Sequence, residues 1–360
     1  RRDFLKFIGV GGAGAGLGFI FGRVQKPPGA KLIPYLIPPE DIIPGAASWY
    51  ATLCTECGAG CGALVKIMEE RAKKIEGNPL HPVNKGGLCN RGQAALQALY
   101  NPDRIKGPLK RRGERGSADF VEVSWDEALD VLGQKLGELK KAGFAEKLWF
   151  LTAPLSGHRL KLLTTFMSAH SSPNLVQYEL FQHRDLAYAN QTTMGIEEIP
   201  HYDIANTNYL LSFGADFSGT WLSPVNFSRG YGEMRQGRHR KNRGRLVQIE
   251  PRLSLTGANA DEWVPVRPGS EAILALSIAY AMVERGYYRG GDASAWRSLL
   301  SSYRPSEAAS ATDISAEKIE ELSKKFAGSK PALAIAGDGA LSYTGGVSCA
   351  AAVNILNHLA

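Results

Sequence analysis

An α/β fold, with a doubly wound parallel sheet behind a small cysteine-bearing N-terminal unit, is what this 360-residue sequence predicts. Apolar runs of strand length end in glycine or polar turns and alternate with apolar helical runs, the pattern of a parallel sheet covered on both faces. Cysteine is clustered: three of the five in the chain, Cys54, Cys57 and Cys61, fall within eight positions. Composition agrees with both observations. The length suffices for two or three domains with real cores, and scarce cysteine excludes a small disulfide scaffold. The net charge of +7 is modest. Its basic residues are interleaved with Gly and Pro rather than with stacking aromatics, which argues against a nucleic-acid reader.

The chain opens "RRDFLKFIGVGGAGAGLGFIFGR". Twin arginines, Phe4-Leu5-Lys6 and an uncharged run from Phe7 to Gly22 give residues 1–25 the layout of a twin-arginine export signal. Gly9, Gly11 and Gly14 spell G-x-G-x-x-G, yet no strand precedes them and no acidic residue follows about twenty positions on, so a dinucleotide site is rejected. Gly12, Gly16, Gly18 and Gly22 sit instead at small-xxx-small spacing (Gly14 joins Gly18), which lets helices approach closely in a membrane. Sixteen uncharged residues span about 24 Å as a helix, short of a hydrocarbon core of roughly 30 Å. The expectation is a retained signal helix packed on a membrane partner. Residues 26–48 form a proline-rich extended arm.

Residues 49–110 read as the metal-bearing unit. Cys89, in "NKGGLCNRGQAAL", completes C-x2-C-x3-C-x27-C. Three ligands on one tight loop and a fourth returning from afar suit a four-iron cube, in which each iron needs a thiolate. Gly58, Gly60, Gly62, Gly86 and Gly87 let backbone pass close to such a cluster. A zinc site usually shows two paired C-x2-C units, and Cys89 has no such partner; a haem attachment needs C-x-x-C-H, and Gly58 follows Cys57. Disulfides or inert buried thiols are the bland alternatives. Cys349 stands alone in an apolar helical run and reads as a core residue.

Residues 111–360 carry the α/β part. "SWDEALDVLGQKLGELKK" is a helix with Ser124 as N-cap and Glu127 three residues on, a capping box, and Ala128, Leu129, Leu132 and Leu136 at helical spacing. "KLWFLTAP", "TNYLLSFGAD", "GRLVQIEPR" and "KPALAIAGDGA" read as strands. "HRLKLLTTFMSAH" and "EAILALSIAYAMVERG" read as helices, and residues 347–360 as a helix still in progress. Such a sheet places its ligand crevice at the strand carboxyl ends.

These segments resemble the molybdopterin bis-guanine-dinucleotide oxidoreductases. The likeness covers nearly everything after residue 48 and rests on the four-cysteine motif, "GLCNRGQAALQALYNPDRIKGPLKR", the "SWDEAL" helix, "SSPNL", "NTNYLLSFGAD" and "IEPRLSLTGANADEWVPVRPGSEA". It implies a [4Fe–4S] cluster on Cys54, Cys57, Cys61 and Cys89. Arg91 would lie between cluster and pterin. Dinucleotide loops are implied at Gly214-Ala215-Asp216, Glu250-Pro251-Arg252, Arg267-Pro268-Gly269 and Gly337-Asp338-Gly339. Measured against family members, the chain reads as incomplete at its C-terminus, a fragment or one half of a split subunit.

The sequence also departs from the family. Catalytic members usually present Cys, selenocysteine, Ser or Asp as metal ligand shortly after "SPN". Here that stretch is "SSPNLVQYELFQHRDLAYANQ", with Phe181, Gln182 and His183 near the place and Asp185 the only candidate of a usual type. Tyr178, Phe181 and His183 are expected to project into the pterin space. Glu271 follows "RPGS", where Asp is commoner for gripping guanine. The likeness is strongest to the large iron–sulfur subunit of alternative complex III. It implies an electron-transfer and structural subunit of a membrane quinol-oxidising complex, serving a cytochrome or copper protein. No molybdenum cofactor is expected, and Gly214, Glu250, Arg252, Gly269 and Gly337 would be vestigial pterin loops. The implied partners are a ferredoxin-like Fe–S part, a quinol-binding membrane subunit and cytochrome c subunits, at the outer face of the cytoplasmic membrane. Two alternatives stay open: a catalytic molybdenum enzyme of polysulfide, thiosulfate or tetrathionate reductase type, and a metal-free scaffold.

Overall fold

The computed structural model describes residues 45–179, 183–236 and 243–360. The twin-arginine segment, the arm through residue 44, Phe181 and Gln182 lie outside them. Among the described residues no helix is long and apolar enough to cross a membrane.

The described chain begins with β1 (Ser48–Leu53), β2 (Gly62–Met68) and β3 (Arg71–Gly77), a three-stranded sheet in that order. The cysteine loop joins β1 to β2, and residues 78–89 lead from β3 to α1 (Asn90–Leu99). Next come the antiparallel pair β4 (Leu109–Arg111) and β5 (Phe120–Glu122), then α2 (Trp125–Lys141). Ser124 Oγ caps α2 by accepting from the Glu127 N–H at 3.1 Å. The return half of the expected capping box is not made, because the Glu127 carboxylate takes Lys110 Nζ at 3.0 Å instead. α2 buries none of its residues: Trp125, Leu129 and Leu132 are all more than half exposed. Beyond it, β6 (Phe150–Thr152) and β7 (Leu175–Gln177) pair in parallel and are linked through α3 (Gly157–Ala169). α4 (Arg184–Met194) follows.

The main core forms around β8 (Tyr209–Phe213), every residue of which is buried. After it come α5 (Pro224–Arg235), β9 (Arg245–Ile249), α6 (Leu255–Ala258), β10 (Glu262–Val264) and α7 (Glu271–Glu284). The chain continues through α8 (Ser294–Leu300), α9 (Pro305–Thr312), α10 (Ala316–Gly328), β11 (Ala332–Ala336), α11 (Asp338–Leu341) and α12 (Gly346–Leu359). The four strands are all parallel, in the order β10-β9-β8-β11. Successive strands run outward from β8 on one side, and the fourth returns to its other side. This is the strand order of a doubly wound sheet around its switch point, which lies between β8 and β11. α10 packs on β8, α12 on β11, and α7 against both helices. The apolar run of α7 is uniform because Leu274, Ile278 and Met282 are all fully enclosed.

Candidate metal centre and the adjoining cavity

The cysteine loop is closed on itself by the Cys54 N–H, which donates to the Cys61 carbonyl at 2.8 Å. All five cysteines are free thiols. Burial pushes the Cys61 thiol up to about 11, and the neighbouring Cys57, Cys54 and Cys89 push it the same way. Burial likewise raises Cys54, with Cys57 and Cys89 adding to it. Thiols that feel one another's charge stand together, and ionising all four in a partly buried loop calls for cationic charge among them. Among the described residues no group of three or more His, Cys, Asp or Glu could hold a single metal ion. A four-iron cube takes one thiolate per iron, and the four motif cysteines supply a donor set of that number and kind.

What brings Cys61 and Cys89 together is a residue that sequence reasoning missed. Asn84, fully buried, accepts from the Gly62 N–H at 2.9 Å and donates to the Gly62 and Gly87 carbonyls at 2.8 and 2.6 Å. One amide thereby ties the residue after Cys61 to the turn before Cys89. Gly77 allows the close approach, since a Cβ there would collide with the Gly86 and Gly87 carbonyls. The only signal for Asn84 in the sequence is an amide residue set between a His-Pro and a Gly-Gly.

Beside the cluster loop lies a cavity of about 930 Å³. Cys57, Gly58, Ala59 and Arg91 line it on the cluster side, and Glu179, His183, His201 and Asp338 contribute titratable groups elsewhere on the wall. The expectation that bulky side chains fill this space is corrected in two respects: the cavity is open, and Tyr178 is not on its wall but more than half exposed. Phe181 lies outside the described residues. His183 reaches the cavity, where its Nδ1 lies 2.8 Å from Asp338 Oδ1. Asp185 is exposed, off the cavity, with Oδ2 close beside Gly346.

At the strand ends Asp338 and Gly339 open onto this cavity, while Gly214 and Gly337 pack on backbone. Gly214 (φ +62°) packs directly on the β11 loop, where a Cβ would collide with the backbone of Gly339 and Ala340. A Cβ on Gly337 would strike Ala215. The Gly339 N–H donates to the Gly214 carbonyl at 3.0 Å, joining the two loops across the switch point. These glycines are explained by backbone meeting backbone. Gly269 (φ +79°) makes a turn beside Tyr343, and Arg267 ahead of it forks onto Asp313. The Glu250 carboxylate accepts from the Ser254 N–H at 2.7 Å and from Gln248 Nε2 at 2.8 Å; Arg252 is exposed. Glu271 is 1% exposed, and burial raises its carboxyl above the usual range. No cysteine remains for a second metal either, because four belong to the motif and Cys349 is buried in α12. Among the described residues, no cysteine from outside the four-cysteine motif lies on the cavity wall.

Comparisons with known proteins bear on the same regions. Residues 47–101 match the molybdopterin oxidoreductase Fe4S4 domain, and residues 104–360 match the molybdopterin oxidoreductase domain. The menaquinone reductase molybdopterin-binding-like subunit of Nitratidesulfovibrio vulgaris is 31% identical over 342 residues, 94% of this chain and 48% of that protein. The arsenate respiratory reductase molybdopterin-containing subunit of a Shewanella species is 30% identical over 80% of this chain and 33% of its own length. Dimethyl sulfoxide reductase DmsA of Escherichia coli is 27% identical over 99% and 48%. The solved structure of acetylene hydratase from Pelobacter acetylenicus superposes with a TM-score of 0.69 at 22% identity, over 86% of this chain and 43% of that one, a likeness of fold. The chain thus spans between a third and a half of the length of these relatives.

Proposed function

We infer the function from one premise: this chain belongs to the molybdopterin oxidoreductase family and carries that family's Fe4S4 domain. We propose that it is an electron-transfer and structural subunit of a membrane quinol-oxidising complex of the alternative complex III type, passing electrons toward a cytochrome or copper protein. Cys54, Cys57, Cys61 and Cys89 would hold a [4Fe–4S] cluster, which supplies one-electron transfer. Asn84 and the glycine turns around it set the distance between the two halves of the ligand set. Arg91 places a cation on the cavity wall beside Cys57. The domain that would hold molybdenum is read as a scaffold without it.

The observation that carries this reading is the strand-end packing. Gly214 and Gly337 meet each other's loops rather than open space, and no thiolate is left over. A relative named as a molybdopterin-binding-like subunit of a menaquinone reductase supports it. On the same reading residues 1–25 are a retained twin-arginine signal helix, and the partners are a ferredoxin-like Fe–S part, a quinol-binding membrane subunit and cytochrome c subunits at the outer face of the membrane.

A second reading, a catalytic molybdenum enzyme acting on polysulfide, thiosulfate or tetrathionate, is favoured by the open cavity of about 930 Å³ and by relatives named as reductases. Elemental analysis of the purified full-length protein separates the two. Iron near four per chain without molybdenum is expected. Molybdenum or tungsten at one per chain would overturn the proposal and restore catalysis. N-terminal sequencing of the mature protein tests retention of the signal helix.

A further inference from the structure

We propose that His81 donates a hydrogen bond from Nδ1 to a sulfur of the cluster held by Cys54, Cys57, Cys61 and Cys89, and that this bond helps to set the cluster's reduction potential. The proposal rests on the cluster assigned above and is independent of whether molybdenum is present.

His81 stands against the end of the three-cysteine loop. A Cβ on Gly62, the residue after Cys61, would lie only 2.4 Å from His81 Cγ and 2.6 Å from its Cδ2. The imidazole therefore fills the space that any other residue at that buried position would need for its own side chain. Backbone, and not a ring nitrogen, holds it there. The His81 N–H donates to the Asn78 carbonyl at 3.1 Å, and the His81 carbonyl accepts from the Lys85 N–H at 2.9 Å. Asn78 returns to the same glycine, its N–H donating to the Gly62 carbonyl at 2.9 Å. Asn84, in the same turn, bonds Gly62 on one side and Gly87 on the other. His81 thus belongs to the turn that ties the residue after Cys61 to the approach to Cys89.

The residue is partly exposed, but its Nδ1 is enclosed and has no hydrogen-bond partner among the described residues. Leaving such a group unpaired costs roughly 1–3 kcal/mol, and a folded interior keeps one only where a ligand, an ion, a water or a function answers it. The acceptors of the turn are already engaged. The Gly62 and Asn78 carbonyls each accept two donors, and the Gly87 carbonyl accepts Asn84 Nδ2. Thiolate and sulfide sulfurs only accept, and a cluster on the four motif cysteines brings a set of them to this turn. The tautomer with its hydrogen on Nδ1 supplies the matching donor. Both ends of the bond are then satisfied without a charge on the ring.

No bond to hydrogen forms or breaks when the cluster is reduced. One electron arrives from an external donor, and the existing N–H···S contact strengthens as the sulfurs gain negative charge. Hydrogen bonds to the sulfurs are among the levers that set such potentials, because they favour the more negative state. A donor that stabilises the reduced cluster tenfold over the oxidised one raises the midpoint by about 59 mV in a one-electron couple.

The test is pulsed EPR of the full-length, cluster-loaded, dithionite-reduced protein carrying isotopically labelled histidine ring nitrogens, with a redox titration alongside. The wild type should show an isotropic coupling to a labelled nitrogen, which a hydrogen bond transmits and mere proximity does not. H81F keeps a ring against Gly62, so iron per chain should hold while the coupling disappears and the midpoint falls by about 59 mV. H81Q, with an amide donor, should lose the histidine coupling and recover part of the potential. H183Q and H201Q, which change the histidines on the cavity wall beside Cys57, should keep the coupling. A wild type without coupling overturns the proposal, as does coupling that persists in H81F or a midpoint that H81F leaves unmoved. Should H81F fail to hold iron, H81Q decides, and coupling retained there overturns the proposal. Molybdenum in the sample would defeat the preceding functional reading and leave this one standing. An iron-loaded, molybdenum-free protein without the coupling would do the reverse, and an iron-free protein would defeat both.

Discussion

Asn84 and the peptide of Gly62 grip each other in both directions, the amide oxygen accepting at 2.9 Å and the amide nitrogen donating at 2.8 Å. With the third bond to Gly87, a single buried side chain sets the separation between the three-cysteine loop and Cys89. Asn84→Ala strands buried backbone groups at both ends. It should destabilise the cysteine-bearing region by roughly 2–4 kcal/mol and lower iron content more than it lowers the helical signal in circular dichroism.

Cys89→Ser removes the distant thiolate while leaving the loop of Cys54, Cys57 and Cys61 intact. Iron per chain and the reduced-state EPR signal should both fall, and the far-ultraviolet spectrum should hold because the β8–β11 core shares nothing with the motif. Cys349→Ala, in α12, should leave iron unchanged. Equal iron loss in the two variants would refute the ligand assignment.

Gly337→Ala tests what the strand-end glycines are for. Its backbone is extended (φ −135°), so alanine brings no dihedral strain, only a Cβ driven into Ala215. Overpacking of this kind costs roughly 1–3 kcal/mol. The melting temperature should drop even in protein free of any pterin. An unchanged value would mean that the glycine answers to a ligand.

Glu271 gives a pH dependence of definite sign. Burial raises its folded-state carboxyl above 4.5, and one oxygen has no hydrogen-bond partner among the described residues. The folded state therefore binds the proton more tightly than the unfolded chain. That contribution is complete below about pH 4.5 and is lost as pH rises through the folded value. Glu271→Gln should flatten stability against pH above 4.5 and raise the melting temperature at pH 7 relative to wild type. Unfolding curves at pH 5 and pH 7 would settle it, and an unchanged slope would remove Glu271 from the account.

Much of this molecule was determined by the sequence itself. The strands at Tyr209–Phe213, Arg245–Ile249 and Ala332–Ala336 were legible because a strand buried on both faces must be apolar throughout. α7 was legible because an enclosed helix is apolar all round, and the start of α2 because Ser124 must satisfy an orphan N–H. The cysteine motif was legible because ligand spacing is local. Only the tertiary structure decided the rest. Asn84 acts between segments 22 residues apart, and His183 meets Asp338 across 155, so no local pattern marks either. Glycines that suggested phosphate cradles turned out to be contacts between the β8 and β11 loops. A missing Cβ reads the same in sequence whether a ligand or the chain's own backbone needs the room. The side chains of Tyr178 and Asp185 turned away from the cavity for a related reason: a residue's distance along the chain from a motif does not say which way its element will face.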